Sequence, residues 1–240
     1  MVLIQPIFSL SKQPTLLFSL YHYSYFAEKL QSHMPTNKTL LIFGATGMVG
    51  QQLLLQALAS DKVHRVIAPT RKTLPEHPKL VNPVIDFEQL PIDATWWKAD
   101  AILSALGTTI KQAGSKDQFR AVDYYYVMKF ALLAKQAGTP CFILNSSLGA
   151  NPTAKGFYLQ VKGELERDIE KLQFDSLSII RPSLLDTSKR PEARIGEEIG
   201  IWFGKKLSLL IPKRYQPIAT ENVANAMLNA ALAAKPGVEI

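Results

Sequence analysis

From Thr39 onward the apolar and polar positions alternate between two kinds of segment. Thr39-Leu-Leu-Ile-Phe43 is an unbroken apolar run of strand length, and strands covered on both faces read this way. Residues 51–60 follow with Leu53, Leu54, Ala57 and Leu58 at helical spacing. Further strand patterns fall at 64–68, 81–87, 99–106, 141–145 and 176–180. Long helical patterns fall at 117–136 and 158–172, the second charged on one face. A last helix is predicted over 220–234, with Thr220 as N-cap and Glu221 favourable in its first turn. Strand and helix patterns in alternation predict an α/β fold, a doubly wound parallel sheet with helices on both faces.

Residues 1–33 depart from this pattern. They are rich in Phe, Tyr, Leu and Ser and are interrupted by Pro6, Lys12 and Pro14. The apolar part at 16–27 carries His22 and several hydroxyls, and it lacks the basic start and small-residue cleavage site of a secretory signal. Met34-Pro-Thr-Asn-Lys38 reads as an ordinary start just before a strand. The expected division is therefore a poorly ordered N-terminal extension, 1–33, and a single domain, 34–240. A peripheral membrane contact is the sharper reading of the extension. No apolar stretch reaches 18 residues, so no transmembrane segment is expected.

Composition narrows the function classes. The chain has 240 residues, 47% of them apolar and 20% charged, which fits one folded domain and excludes a disordered chain. Its one cysteine, Cys141, excludes an intrachain disulfide and a cysteine zinc site, and points to a reducing, cytoplasmic setting. His22, His33, His64 and His77 have no ligand spacing, so no metal is expected. The net charge of +7 is scattered in pairs such as Arg71-Lys72, Lys189-Arg190, Lys205-Lys206 and Lys213-Arg214, with no run of the kind that binds nucleic acid.

The first chemistry lies in Gly44-Ala-Thr-Gly-Met-Val-Gly50, between a strand and a helix. Gly44 permits a tight turn, Gly47 lets the backbone approach phosphates, and Gly50 lets the helix pack closely on the strand. The helix N-terminus then offers N–H groups and positive potential to a pyrophosphate, with Thr46, Met48 and Val49 completing the loop. NAD-specific folds place an acid about 20 residues beyond the motif. Here the local sequence is Pro69-Thr-Arg-Lys72, without an acid. Arg71 can pair with a 2′-phosphate, so the expected cofactor is NADP(H) in preference to NAD(H).

Tyr158-Leu-Gln-Val-Lys162 puts a phenol and an ammonium one helical turn apart. The ammonium favours phenolate, which makes the phenol usable as a general acid or base. The motif opens the helix after the fifth strand, and that strand leads into Ser146-Ser147, at the end of the sheet where such folds bind ligands.

These residues, taken in order with Asp86, Leu106-Gly107-Thr108-Thr109, Val122-Asp123 and Arg181-Pro182, resemble a short-chain dehydrogenase/reductase. More narrowly, Ala105-Leu-Gly-Thr-Thr-Ile-Lys111 and Tyr158-Leu-Gln-Val-Lys-Gly-Glu-Leu-Glu166 are similar to the atypical group of Tat-interacting-protein oxidoreductases. The resemblance spans about residues 38–232. It implies a Rossmann-like fold with a small C-terminal substrate lid and bound NADP(H). Asp86, with Phe87 beside it, would meet the adenine. Leu106, Gly107 and Thr108 would line the cofactor channel. Lys162 would hold the nicotinamide ribose and tune Tyr158. Ser147, rather than Ser146, would bind the substrate carbonyl, and the backbone after Pro182 would meet the carboxamide. Hydride would pass to or from a small carbonyl or alcohol substrate while Tyr158 moves the proton.

Two departures qualify that analogy. The helix position where many members keep an active-site Asn falls at Asp123 or a neighbour, which leaves the proton relay incomplete. The stretch between Leu184 and Pro217 is short, which disfavours a nucleotide-sugar substrate. A second class therefore stays open, a dinucleotide-binding redox sensor, regulator or assembly factor with little turnover. Either a monomer or a homodimer fits.

Three aromatic features remain. Ile195, Ile199, Trp202 and Phe203 fall at helical spacing and predict a core or lid helix, or a partner or membrane-surface contact next to the active site. Trp96-Trp97 reads as a packing pair. Tyr124-Tyr-Tyr126 lies within a helical pattern, so at least one ring should be exposed or near the cofactor.

Overall fold

The computed structural model describes residues 37–185 and 216–240. The N-terminal extension and the helix expected around Ile195, Ile199, Trp202 and Phe203 lie outside the described residues. The unbroken apolar run forms strand β1, Lys38–Phe43, and Leu40 to Phe43 are fully buried. The other strands are β2 (Val63–Ile67), β3 (Leu80–Val81), β4 (Ala101–Ser104), β5 (Cys141–Asn145), β6 (Ser176–Ile180) and β7 (Gly237–Glu239). Among the described residues they form one sheet of seven strands in the order β3-β2-β1-β4-β5-β6-β7, every pairing parallel. This is the Rossmann-like arrangement. The order reverses between β1 and β4, and the crevice beyond their carboxyl ends is where such sheets bind ligands.

Helices cover both faces. Helix α1 (Met48–Ala59) and helix α6 (Thr220–Ala233) pack on one, against Leu40, Ile42, Leu103 and Ile143. On the other lie a 3₁₀ turn, Thr95–Trp97, and helices α4 (Val127–Gln136) and α5 (Phe157–Glu170), against Leu41, Phe43, Ile102 and Phe142. Alternate residues of β1 thus serve the two layers, as the pleat requires. Phe43 stacks on Phe130 with centroids 3.7 Å apart and on Trp97 at 5.6 Å, so the expected Trp pair does pack in the core.

The structure departs from the sequence reading in several places. β3 stops at Val81, because Pro83 has no N–H for a ladder; only an isolated bridge, Thr70 to Val84, continues the pairing. β7 is a three-residue exposed edge with too little apolar pattern to be read in advance. The long helix expected over 117–136 is three pieces, α3 (Lys116–Arg120), a π-helical turn (Ala121–Tyr126) and α4. A one-turn helix, α2 (Ile110–Ala113), precedes them. Thr220 is not a cap: Ala219 holds that position, and the Thr220 hydroxyl turns to Glu221 at 3.2 Å.

Candidate functional site

The glycine loop closes on itself at the switch point of the sheet. Gly44 has φ +81°, and a Cβ there would fall 2.6 Å from the Ala105 carbonyl carbon and the Leu106 nitrogen. The loops after β1 and β4 therefore touch backbone to backbone. A methyl at Gly50 would overlap the Gly44 carbonyl oxygen, so α1 rests directly on the loop. The Gly44 carbonyl accepts the Gly47 N–H at 2.9 Å, and the Gly47 carbonyl accepts the Gln51 N–H at 2.8 Å. Gly47 stands in extended backbone before α1, and no side chain caps the helix. Thr46 is exposed, Met48 half-buried and Val49 buried in the core.

The corner beyond β2 and β3 gathers Arg71, Asp86, Glu88 and Tyr126. Arg71 and Asp86 are exposed. Thr70 is buried, donates to the Lys72 carbonyl at 2.6 Å and accepts from Asn82 at 2.7 Å, which fixes the turn that carries Arg71. Asp86 accepts the Glu88 N–H at 2.9 Å. The Phe87 ring packs in the core, edge-on to Phe43 and Phe130. Tyr126 donates to Glu88 at 3.3 Å. Burial, the charge and hydrogen bond of Glu88, and the charge of Asp86 raise its phenol above the ordinary range, with Arg71 opposing.

Helix α5 presents two stripes at i, i+4 spacing. Glu164 and Asp168 face the α3–π segment. Arg120 pairs with Glu164 at 2.5 Å, and the Tyr124 hydroxyl donates to Asp168 at 2.8 Å. Tyr125 is 53% exposed, one of the two outcomes expected of the Tyr triplet. The other stripe is Tyr158, Lys162 and Glu166. Lys162 is buried, with its ammonium 2.7 Å from the Asp123 carboxylate. The second Asp123 oxygen accepts the Thr108 N–H at 2.8 Å. Burial alone would lower the Lys162 pKa; the charge and hydrogen bond of Asp123, with Tyr158 and Glu166 adding, outweigh it and raise it. A Cβ at Gly107 would come within 3.3 Å of Asp123 and 3.8 Å of Lys162, so the glycine leaves room for the pair.

The loop after β5 is tied to α5 and to the end of β6. Leu148 donates to the Pro182 carbonyl at 2.8 Å, and Asn151 donates to the Leu159 carbonyl at 3.1 Å. A methyl at Gly163 would overlap the Asn151–Pro152 backbone, so this loop lies directly on the helix. Ser147 is half-buried; Ser146 is buried and its hydroxyl has no partner. Tyr158 is 37% exposed and lies beside the Phe119 ring at 5.6 Å. The carboxyl ends of β4, β5 and β6 thus bring Gly107, Thr108, Ser147, Lys162 and Pro182 to one end of the sheet, with Tyr158 on the same helix. Two partnerships escaped the sequence reading. Asp123, read as a break in a relay, engages Lys162 directly. Glu166 pairs with Arg181, a tertiary contact between α5 and the end of β6 that no local spacing signals.

An uncapped helix start at the switch point, a loop whose glycines let backbone rest on backbone and an orphaned Ser146 hydroxyl fit a dinucleotide. Among the described residues no group of three or more His, Cys, Asp or Glu is placed to hold a metal ion, and no helix is long and apolar enough to cross a membrane.

Comparison with known proteins agrees with this geometry. Residues 44–233 match the NAD(P)H-binding family. The chain is 38% identical to protein HTATIP2 of Rattus norvegicus over 203 residues, 80% of this chain and 81% of that protein. It is 35% identical to the mitochondrial protein FMP52 of Candida albicans over 173 residues, 68% of this chain and 74% of that one. Among solved structures, MoeE5 in complex with UDP-glucose and NAD superposes with a TM-score of 0.62 at 16% identity, covering 84% of this chain and 74% of that one, a likeness of fold.

Proposed function

The chain belongs to the NAD(P)H-binding family, and from that premise we propose that it is an NADP(H)-dependent oxidoreductase of the short-chain dehydrogenase/reductase type. Its substrate would be a small carbonyl or alcohol compound. The observation that carries the reading is the alignment of Tyr158 and Lys162 on one stripe of α5, with Lys162 buried and charged beside the loop after β4. Gly44, Thr46, Gly47, Met48, Val49 and Gly50 would hold the pyrophosphate on the α1 N-terminus. Arg71 would hold the 2′-phosphate and Asp86 the adenine. Leu106, Gly107, Thr108 and Pro182 would flank the nicotinamide half. The bound nicotinamide would supply or accept the hydride.

The rest is done by the chain's own groups. Lys162 donates hydrogen bonds from a fixed ammonium. Ser147 donates to the substrate oxygen and orients it toward Tyr158. The Tyr158 hydroxyl gives a proton to that oxygen on reduction and takes it back on oxidation. Its partial exposure leaves the hydroxyl within reach of a bound substrate. The test is Tyr158→Phe in a carbonyl-reduction screen with NADPH, which should abolish turnover and leave cofactor binding intact. Unaltered turnover would remove the assigned role.

A further inference from the structure

Resting on the reading of Lys162 as a cofactor-site residue, we propose that Asp123 is a positioning residue that fixes the Lys162 ammonium and the Gly107–Thr108 loop as one unit.

Asp123 sits inside the π-helical turn 121–126, between two ordinary helices, and such bulges re-aim single side chains, often at functional sites. Its side chain is 1% exposed. A carboxylate with so little water must be paired. One oxygen meets Lys162 at 2.7 Å and the other accepts the Thr108 N–H at 2.8 Å. The carboxylate thus joins the loop after β4 to the middle of α5, two segments with no covalent proximity.

Charge explains why the residue is Asp. Lys162 is 5% exposed at its side chain, and a lone ammonium there would shed its proton rather than stay charged. The groups that act on it are Asp123 from the π turn and Tyr158 and Glu166 from its own helix. Glu166 is already held by Arg181 through two hydrogen bonds. Asp123 is left as the direct counter-charge. An Asn in its place would keep an acceptor for Thr108 and lose that charge.

The geometry has a cost that reveals its use. Burying an ion pair is seldom the most stable choice, and an apolar pair of similar volume often does as well. Two linked roles, a fixed cation and a fixed loop, account for keeping it.

The test uses the full chain with Asp123→Asn and isotope-labelled lysine, following the Lys162 ammonium by NMR, assigned with Lys162→Arg. In the parent protein Lys162 should stay protonated into the alkaline range. In Asp123→Asn its titration midpoint should fall by about one unit or more, a tenfold loss of proton affinity. NADPH affinity should fall over the same pH interval in the variant and stay flat in the parent. An unchanged midpoint in folded Asp123→Asn overturns the proposal. A lowered midpoint with flat NADPH affinity upholds the hold on Lys162 and overturns the assignment of Lys162 to the cofactor. If Asp123→Asn does not fold, Asp123→Asn with Lys162→Met decides. Recovery of the folded state supports charge pairing, and a double variant no more stable than the single one overturns it.

Discussion

Arg181 donates two hydrogen bonds to Glu166, 3.1 Å from Nε and 2.6 Å from Nη2, and so joins the end of β6 to the middle of α5. Glu166 is buried and Arg181 about one-third exposed at its side chain. Arg181→Ala should lower stability by about 2 kcal/mol, because the carboxylate loses two charge-assisted hydrogen bonds. Arg181→Lys should fall between, since an ammonium cannot reproduce the paired geometry. Urea denaturation of the three proteins checks this.

Gly47 and Gly50 separate loop closure from ligand contact. Gly47 has backbone angles that alanine adopts, and its Cβ would stand 3.3 Å from the Gly44 carbonyl oxygen. Gly47→Ala should change stability little and weaken NADPH binding roughly tenfold or more, a loss of about 1.4 kcal/mol, by crowding the phosphate approach. Gly50→Ala should damage both, by about 1–3 kcal/mol in stability, since α1 must lift off the loop. Paired thermal melts and NADPH titrations distinguish the two. Gly47→Ala with full affinity would count against phosphate contact there.

Much of this was readable in the chain. β1, β4 and β5 are largely apolar runs because helices cover both faces, and the glycine loop fixes which strand comes first at the switch point. Residues 81–87 misled, since their apolar pattern reflects Phe87 packing on Phe43 and not a strand, and Pro83 ends the ladder. The π turn leaves no mark in periodicity. The position of Asp123 is legible in the chain, but its hold on Lys162 and Thr108 is tertiary, linking residues far apart in sequence. Tyr158 and Lys162 were legible because helical spacing alone joins them.

Tyr158→Phe keeps the ring beside Phe119 and removes only the hydroxyl. Turnover should fall by about 10²–10⁴-fold, the usual worth of a placed proton donor. NADPH affinity should stay within about twofold, well under 1 kcal/mol. Steady-state rates and fluorescence titration provide the check. Loss of cofactor binding would move Tyr158 from proton transfer to binding.

Acid stability should depend on Asp168. Hydrogen bonds from Arg167, Lys171 and Tyr124 hold it well below the usual carboxylate range, against a smaller opposing effect of burial. A depressed carboxylate stabilises the fold above its unfolded value, about pH 4, and that contribution is lost as pH falls further. Asp168→Asn should be less stable than the parent at pH 7, and the gap should narrow below about pH 4. Lys162 works in the opposite direction: its raised value contributes fully below the unfolded lysine range and is lost only on strong alkalinisation. Denaturation midpoints across pH 2 to 7 check the Asp168 claim, and a constant gap would contradict it.

The dinucleotide site is probed by equilibrium titration of the full chain with NADPH and with NADH, read by energy transfer from tryptophan to the reduced nicotinamide. NADPH should bind saturably and NADH at least about tenfold more weakly, a difference of about 1.4 kcal/mol. Arg71→Ala should erase most of that difference. Equal affinities would contradict the assignment of Arg71 to a 2′-phosphate, and no saturable binding of either would contradict the role given to the Gly44–Gly50 loop.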